Sequence, residues 1–588
     1  MNYEFRQLEE SSSRVSEPEG YTGNHLVLDF LRHHDVKLCS GVTGGGVIHF
    51  LQHLAAMDEI DAAPPRFFSV QEYIAGFVPL GAYLGGNQLA ACIATTGAAT
   101  KLLMCGLSDA KLHHIPAIFL VPVSPTRHHT LAPLQDTTEH GSNIAAQLSA
   151  EMPDGVFILD DTATLVARLN EAACRLRQRE PVVLVLEPDT MRAKIRCVIS
   201  QNWINGIAEC DNPSKLDAFV DGFRQACVGR RVTLLIGEEL RHVQGAASAI
   251  TTISRTLRAA VVWTINGANS IERSNPQGYG YLGFGGNDLA QAHWASISKD
   301  DILLVIGASP DEYTLNLKEF PAGHTFYLTD SDRGYSQQDG NYRHRSRYAY
   351  THCISSLDRA MSALHNALVL DPPLTKPVPP APSSLNNRVL PLPRPGYVDL
   401  AKLFTLLDKY WRPGTIGFDD ICLAYKDRQY VTQRPNPHAN FFSLYRGSAM
   451  GGAFGLAIGA KLANPQCDVV CLSGDGCFRL YAGALAEAAT LGLLLLLFDN
   501  GNLGIVEQGL PFILPNVPVS RRHSALTQID YVSVARACGW SADSLESDLS
   551  NLPQILLDYH QNIKRSKLVR IPVDTEQVIG KNPRASNL

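Results

Sequence analysis

The apolar residues of this chain fall in short unbroken runs, not in alternation. LAACIAT (89–95), IPAIFLVPV (115–123) and PVVLVLEP (181–188) form one set, and VTLLIG (232–237), AAVVWTI (259–265), DDILLVIG (300–307) and HTFYLTD (324–330) a second. VVCLSG (469–474), LLLLLF (493–498) and VRIPVD (569–574) form a third. Unbroken apolar runs bounded by turn residues are strands buried on both faces, as in parallel sheets. Stretches of helical character separate them. Strand–helix alternation of this kind predicts an α/β chain. Three blocks of similar size predict three doubly wound parallel-sheet domains.

The boundaries follow from composition. Residues 1–21 are polar and acidic, read as a mobile N-terminal tail without the apolar core a signal peptide needs. The first domain is placed at 22–200 and the second at 205–368. A proline-rich segment, DPPLTKPVPPAPSSLNNRVLPLPRPG, marks an extended, semi-rigid linker at 369–396, and the third domain takes 397–588. A length of 588 residues fits this count. A net charge of -6 with no basic run argues against a nucleic-acid partner. The leucine-rich run at 491–498 is too short to cross a bilayer, so no membrane partner is expected. The 13 cysteines include no CxxC pair, which argues against a zinc site and for free thiols in a reducing cytoplasm.

The chemistry concentrates at 468–508. Gly474-Asp475-Gly476 follows one apolar run, and Asp499-Asn500-Gly501-Asn502 follows the next. Two parallel strands joined by a right-handed helical crossover, expected at about three turns, bring both turns to the same sheet edge. Open α/β sheets bind ligands at that edge. A carboxylate, an amide oxygen and a backbone carbonyl suit Mg²⁺, which takes its remaining oxygens from phosphate and water. A plain strand–helix–strand unit with two ordinary turns would show the same spacing.

This pair of turns resembles the fingerprint of the thiamine diphosphate-dependent enzymes, most closely the acetolactate synthase version. The spacer between Gly476 and Asp499 is 22 residues, a little short for the family, and Asp499 stands where an Asn is usual. Other segments resemble the family in its order: Ser40–Gly45, Gln71–Ala75 with Gly81-Ala82-Tyr83, Thr95–Thr100, and Arg446–Gly451. The resemblance runs from about residue 22 to the end. It implies a pyrimidine-binding, a middle and a diphosphate-binding domain. It implies Mg²⁺ on Asp475, Asn500 and the carbonyl of Asn502. Glu72 would be the glutamate that activates the cofactor, buried and held above the usual carboxylate range. Met450 would bend the cofactor, and Ser448 would offer a carbonyl to its amine. Thr96, Gly97, Gly474, Gly476, Cys477, Leu503 and Gly504 would complete the cradle. The family's site lies between two subunits, which implies a homodimer or homotetramer.

Two segments bear on the reaction. Leu134-Gln135-Asp136-Thr137-Thr138 resembles a carboligase segment whose glutamine, here Gln135, lies in the substrate pocket. His128-His129 resembles the histidine pair of the 2-oxo acid decarboxylases. The balance favours a carboligase that decarboxylates a small 2-oxo acid, pyruvate first, and passes the acyl-anion equivalent to a carbonyl acceptor. The alternatives are a decarboxylase releasing an aldehyde and a catalytically degenerate regulatory homologue. The middle block resembles the domain that binds FAD in acetolactate synthases. Its glycine-rich NPQGYGYLGFGGND is weak evidence for a flavin, and no functional FAD is expected.

Overall fold

The computed structural model describes residues 20–195, 213–330 and 341–587. The tail expected over 1–21 therefore lies almost wholly outside the described residues.

The first sheet comprises β1 (Leu38–Gly41), β2 (Ala55–Ala56), β3 (Arg66–Ser69), β4 (Ala91–Ile93), β5 (Ile118–Pro122), β6 (Val156–Leu159) and β7 (Val182–Leu186), in spatial order β2-β3-β1-β4-β5-β7-β6. The second comprises β8 (Val232–Ile236), β9 (Ala260–Trp263), β10 (Gly278–Tyr281), β11 (Ile302–Ile306), β12 (His324–Thr329) and β13 (Ala349–Ile354), in order β10-β9-β8-β11-β12-β13. The third comprises β14 (Thr415–Asp419), β15 (Ala439–Ser443), β16 (Val469–Gly474), β17 (Leu493–Asp499), β18 (Ser541–Ser544) and β19 (Lys567–Pro572), in order β15-β14-β16-β17-β19-β18. Every ladder among them is parallel. The unbroken apolar runs are thus the central strands: β5, β7, β8, β11, β16 and β17 are buried along their whole length.

The first and third sheets share one core. Two helices of the first domain, α1 (Glu72–Ala75) and α2 (Val78–Gly86), pack against α3 (Gly452–Ala463) of the third. Ile74, Phe77 and Val78 join Phe454, Leu456, Ile458 and Leu495 in a single apolar cluster. Small residues set the distance between the helices. A methyl group on Gly81 would stand 2.0 Å from the Leu456 carbonyl oxygen, and one on Gly459 would stand 1.9 Å from that of Val78. The middle sheet has its own cores on its two faces.

The segment at 369–396 holds no helix or strand over 372–396, yet it does not hang free. Lys376 and Val378 donate backbone bonds to Arg230 and Arg258 of the middle domain, and Arg394 pairs with Asp574 of the third at 2.7 Å. The crossover expected as one helix of three turns between β16 and β17 is broken into α4 (Asp475–Tyr481), a 3-10 turn (Ala482–Ala484) and Leu485–Ala488. Side chains from elsewhere take carbonyls around the break: Gln71 donates to Leu480 and the Trp540 indole donates to Leu485. A further helix, α5 (Gly504–Ile513), follows β17. Among the described residues no helix is long and apolar enough to cross a membrane, and the eleven cysteines are all free thiols.

Candidate active site

β16 and β17 deliver Asp475 and Asn500 side by side at the carboxyl edge of the third sheet, with Gly474 opposite Phe498 in the ladder. α4 begins at Asp475 and α5 at Gly504, so two helix N-termini point their free N–H groups towards one place. That arrangement favours an anion such as a diphosphate. Asp475 is buried, and its Oδ1 accepts from Gly476 N at 3.0 Å and its Oδ2 from Gly501 N at 2.7 Å. Burial, helped by the charge of Asp499, raises its carboxyl to about 6 against the pull of the Gly501, Gly476 and Asn500 N–H groups. Such a carboxylate is short of positive charge, and a cation would provide it. Asn500 Oδ1 accepts from Asn502 N at 2.9 Å, and Asn502 Nδ2 donates to the Asn500 carbonyl at 3.1 Å, which holds the turn closed on itself. Among the described residues no group of three or more His, Cys, Asp or Glu is arranged to hold a metal. A cation at this turn would combine one carboxylate with amide, carbonyl and non-protein oxygens, the donor set that suits Mg²⁺.

Asp499, the residue out of pattern, is accounted for. It is buried, and its Oδ2 accepts from Arg570 Nε of β19 at 2.7 Å. The extra carboxylate thereby has a cationic partner within the sheet.

Met450, Gly476 and Leu503 meet. A methyl group on Gly476 would stand 2.9 Å from Leu503 Cδ2 and 3.3 Å from Met450 Cε, so glycine keeps the cradle between them open. Cys477 is buried behind it with Sγ on the Ile421 carbonyl at 3.4 Å, and Gly504 stands against the Asn500 amide. Ser448 is exposed in a left-handed backbone conformation, φ 53°, its hydroxyl donating to the Tyr445 carbonyl at 2.7 Å.

Three residues hold this loop, of which Asp420 and Asp109 were not singled out from sequence and Arg446 was read only as the start of the Arg446–Gly451 segment. Buried Asp420, just past β14, accepts from Gly451 N at 2.9 Å and Ser473 Oγ at 2.7 Å. Asp109 of the first domain accepts from Gly447 N at 2.9 Å, its carboxyl pushed up to about 7 by burial. Arg446 pairs with Glu238 and, at 3.0 Å, with Asp311, both of the middle domain, and donates to the Leu112 carbonyl of the first. An acidic residue at the carboxyl end of a buried run is the signal that could have found Asp420.

In the first domain, the turns after β1, β4 and β5 converge at its carboxyl edge. Gly46 N donates to Thr95 Oγ1 at 3.3 Å, and Thr96 Oγ1 donates to Gln135 Oε1 at 2.8 Å. Gln135 has φ 57° and lies over Gly97, where a methyl group would stand 3.1 Å from Gln135 Cβ. Thr96, Gly97 and Gln135 therefore form one group. Glu72 opens α1, which is tied to the third domain on both sides, by Gln71 Nε2 on the Leu480 carbonyl at 3.3 Å and by Tyr73 OH on the Met450 carbonyl. Glu72 itself is only half-buried, where full burial was expected, because it heads a one-turn helix whose apolar face is Ile74 and Ala75. Among the described residues its carboxylate has no hydrogen-bond or ionic partner. His128 and His129 lie in the turn that follows β5. Their turn is anchored by Thr126 N on Glu187 Oε1 at 3.0 Å, His128 Nε2 accepts from Arg127 at 3.3 Å, and no described contact joins either histidine to Glu72 or Gln135.

Comparison with known proteins agrees with this geometry domain by domain. The "Thiamine pyrophosphate enzyme, N-terminal TPP binding domain" family matches residues 21–145, the central domain of the same enzymes matches 228–338, and the C-terminal TPP binding domain matches 426–566. The chain belongs to the thiamine pyrophosphate enzymes. Its relatives within them include the acetolactate synthase isozyme 1 large subunit of Escherichia coli K12, 21% identical with 97% of each chain covered. The isozyme 2 large subunit of the same organism is 23% identical over 83% of this chain and 84% of its own. The probable acetolactate synthase large subunit of Methanocaldococcus jannaschii is 21% identical over 91% of each. Among solved structures, the Rhodococcus jostii RHA1 thiamine diphosphate-dependent 4-hydroxybenzoylformate decarboxylase superimposes with a TM-score of 0.77 at 16% identity, covering 94% of this chain and 99% of its own. That likeness is one of fold.

Proposed function

We propose that this thiamine pyrophosphate enzyme is a Mg²⁺-dependent carboligase that decarboxylates a small 2-oxo acid, pyruvate first, and joins the remaining acyl-anion equivalent to a carbonyl acceptor. The observation that carries the reading is Asp475. It is a buried carboxylate raised to about 6, pinned between backbone N–H groups where two helices begin. When bound, the cofactor supplies the electron sink that lets CO₂ leave. The protein's part is to hold and orient. Asp475, Asn500 and the carbonyl of Asn502 are assigned to Mg²⁺, with Gly474, Gly476, Cys477, Leu503 and Gly504 around the diphosphate. Met450 is assigned to pack beneath the bend of the cofactor and the Ser448 carbonyl to its amine. Glu72 is assigned to hold a proton on the cofactor's pyrimidine ring. Its free carboxylate supports a site completed by a second copy of the chain, hence at least a homodimer. The bond from Thr96 supports Gln135 as a substrate contact at the edge of the first sheet.

Full-length similarity to acetolactate synthase large subunits supports a carboligase over a decarboxylase. The Asp499–Arg570 pair speaks against the degenerate reading, since it gives the out-of-pattern carboxylate a cationic partner within the sheet. A flavin fits the middle domain poorly. The crevice where its strand order reverses, the usual dinucleotide place, is filled by buried Glu238 and Glu239. The test is incubation of purified protein with pyruvate, thiamine diphosphate, Mg²⁺ and a panel of aldehyde and 2-oxo acid acceptors, read by mass spectrometry. A condensation product bearing the two-carbon unit is expected. Free acetaldehyde with every acceptor would replace this reading by the decarboxylase.

A further inference from the structure

The loop between β15 and α3 carries Ser448 and Met450, the two residues assigned to the bend of the cofactor. Its conformation is not one its sequence would choose. Ser448 stands at φ 53°, in the left-handed region, where a side chain costs free energy that glycine escapes. A residue keeps such a conformation only where its surroundings impose it.

The first domain supplies restraint on both sides of Ser448. Before it, Asp109 on the helix Cys105–Leu112 accepts from Gly447 N at 2.9 Å. A methyl group on Gly447 would stand 2.2 Å from Asp109 Oδ1, so glycine is what admits the carboxylate. After it, the Tyr73 hydroxyl of α1 donates to the Met450 carbonyl. The two anchors bracket the strained residue.

Tyr73 is well placed to donate. Its ring is half-buried against Phe77, with centroids 5.3 Å apart. Burial, and after it the nearby carboxylate of Asp420, push the phenol well above its usual range, so the hydroxyl keeps its proton. The Ala449 carbonyl is also taken, by Gly452 N at 3.2 Å. Among the described residues no donor reaches the Ser448 carbonyl. The loop is thus held by its flanks, and the carbonyl assigned to the cofactor's amine is left unengaged.

We propose that Tyr73 is a positioning residue for the cofactor. By holding the Met450 carbonyl while Asp109 holds Gly447, it keeps Ser448 left-handed and sets where Met450 and the Ser448 carbonyl meet the ligand. The inference rests on the assignment of thiamine diphosphate to this loop and adds to it a residue that acts through the loop. Glu72 and Tyr73 are neighbours on α1 with separate parts: one holds a proton on the ring, the other holds the frame.

Tyr73→Phe removes the hydroxyl, keeps the ring and is the test. In the cofactor-free protein, amide hydrogen exchange across 445–451, read by mass spectrometry, is expected to quicken about tenfold. With thiamine diphosphate and Mg²⁺, affinity by fluorescence titration is expected to fall by about three- to tenfold, the scale of one hydrogen bond. At saturation the near-ultraviolet circular dichroism of the bound cofactor is expected to weaken. Glycine at 448 takes the left-handed conformation without that cost. Adding Ser448→Gly to Tyr73→Phe is therefore expected to bring affinity and dichroism to within about twofold of Ser448→Gly alone. A tyrosine that served only packing would not be rescued from position 448. Exchange, affinity or dichroism unmoved by Tyr73→Phe, or a loss that Ser448→Gly does not repair, would overturn this proposal while wild-type cofactor binding stands. Wild-type protein that binds no thiamine diphosphate would overturn the cofactor assignment and this proposal with it.

Discussion

The second and third sheets are both six-stranded and parallel, and each carries acidic residues at the ends of its central strands. They use them differently. Past β8, Glu238 takes the Arg446 guanidinium, and Glu239 accepts from Thr329 Oγ1 at 2.8 Å and from Asp330 N at 3.0 Å. A methyl group on Gly307, past β11, would stand 2.7 Å from Glu239 Cβ, so the crevice there is full. Past β16, Asp475 bonds only to the N–H groups of its own and the neighbouring turn. One edge has been closed by its own side chains into a joint between domains. The other retains a carboxylate held only by backbone N–H groups, with acceptor capacity left over. Strand order alone does not make a site; it depends on whether the side chains at the strand ends are already partnered.

The largest effect expected from breaking this contrast is at Glu72, whose carboxylate has no partner among the described residues. Glu72→Gln should lower turnover by two to four orders of magnitude, roughly the contribution of a positioned proton donor or acceptor. Cofactor affinity should hold; full turnover would sink the assignment. Mixing inactive Glu72→Gln chains with inactive Asp475→Ala chains, with subunit exchange, should restore about a quarter of wild-type activity if each site takes one residue from each chain. No recovery would place both residues in one chain's site.

Asp475→Ala comes next. Loss of Mg²⁺-dependent cofactor retention is expected, roughly a hundredfold in affinity, measured by fluorescence titration. Undiminished retention would mean that the open edge is not the metal site.

A smaller effect is set by pH. Asp475 has its carboxyl raised from 3.8 to about 6, and a cation needs it ionised. Mg²⁺-dependent cofactor affinity should fall by up to about tenfold per unit as pH drops below that value. Stability of the cofactor-free protein runs the other way. Asp475's contribution is fully present below its unfolded value and is lost as pH rises through about 6. A flat affinity profile between pH 5 and 7, about the range over which the group titrates, would remove the raised carboxyl from the account.

The smallest effect belongs to the closed edge. Glu239 is pushed above the usual carboxylate range by burial beside Asp330, so an uncharged isostere suits it. Glu239→Gln should change stability by less than about 1 kcal/mol and leave cofactor affinity unaltered, by thermal melt and titration. A large loss of affinity would show that the two edges are coupled.

The sheets were legible because buried parallel strands leave unbroken apolar runs, and the Asp475–Asn500 turns because they interrupt two such runs in succession. The route of 369–396 across two domains was not, since its backbone bonds depend on partners far away in sequence, such as Arg230 and Arg258. Nor was the break after Tyr481, which distant Gln71 and Trp540 reinforce. Asp499 read as a liability because its partner, Arg570, lies 71 positions on and meets it only across β17 and β19.

The crossing of α2 on α3 carries a consequence for how the enzyme tolerates change. Backbone lies against backbone at Gly81 and Gly459, so this joint has no compressible side-chain layer. A single added carbon acts as a shim between the first and third domains, pushing α2 and the neighbouring α1 away from α3. In a saturation screen these buried glycines should therefore be as intolerant as the Asp475–Asn500 turns, and the failing variants should cluster by their position along the helix crossing, not by their distance from those turns.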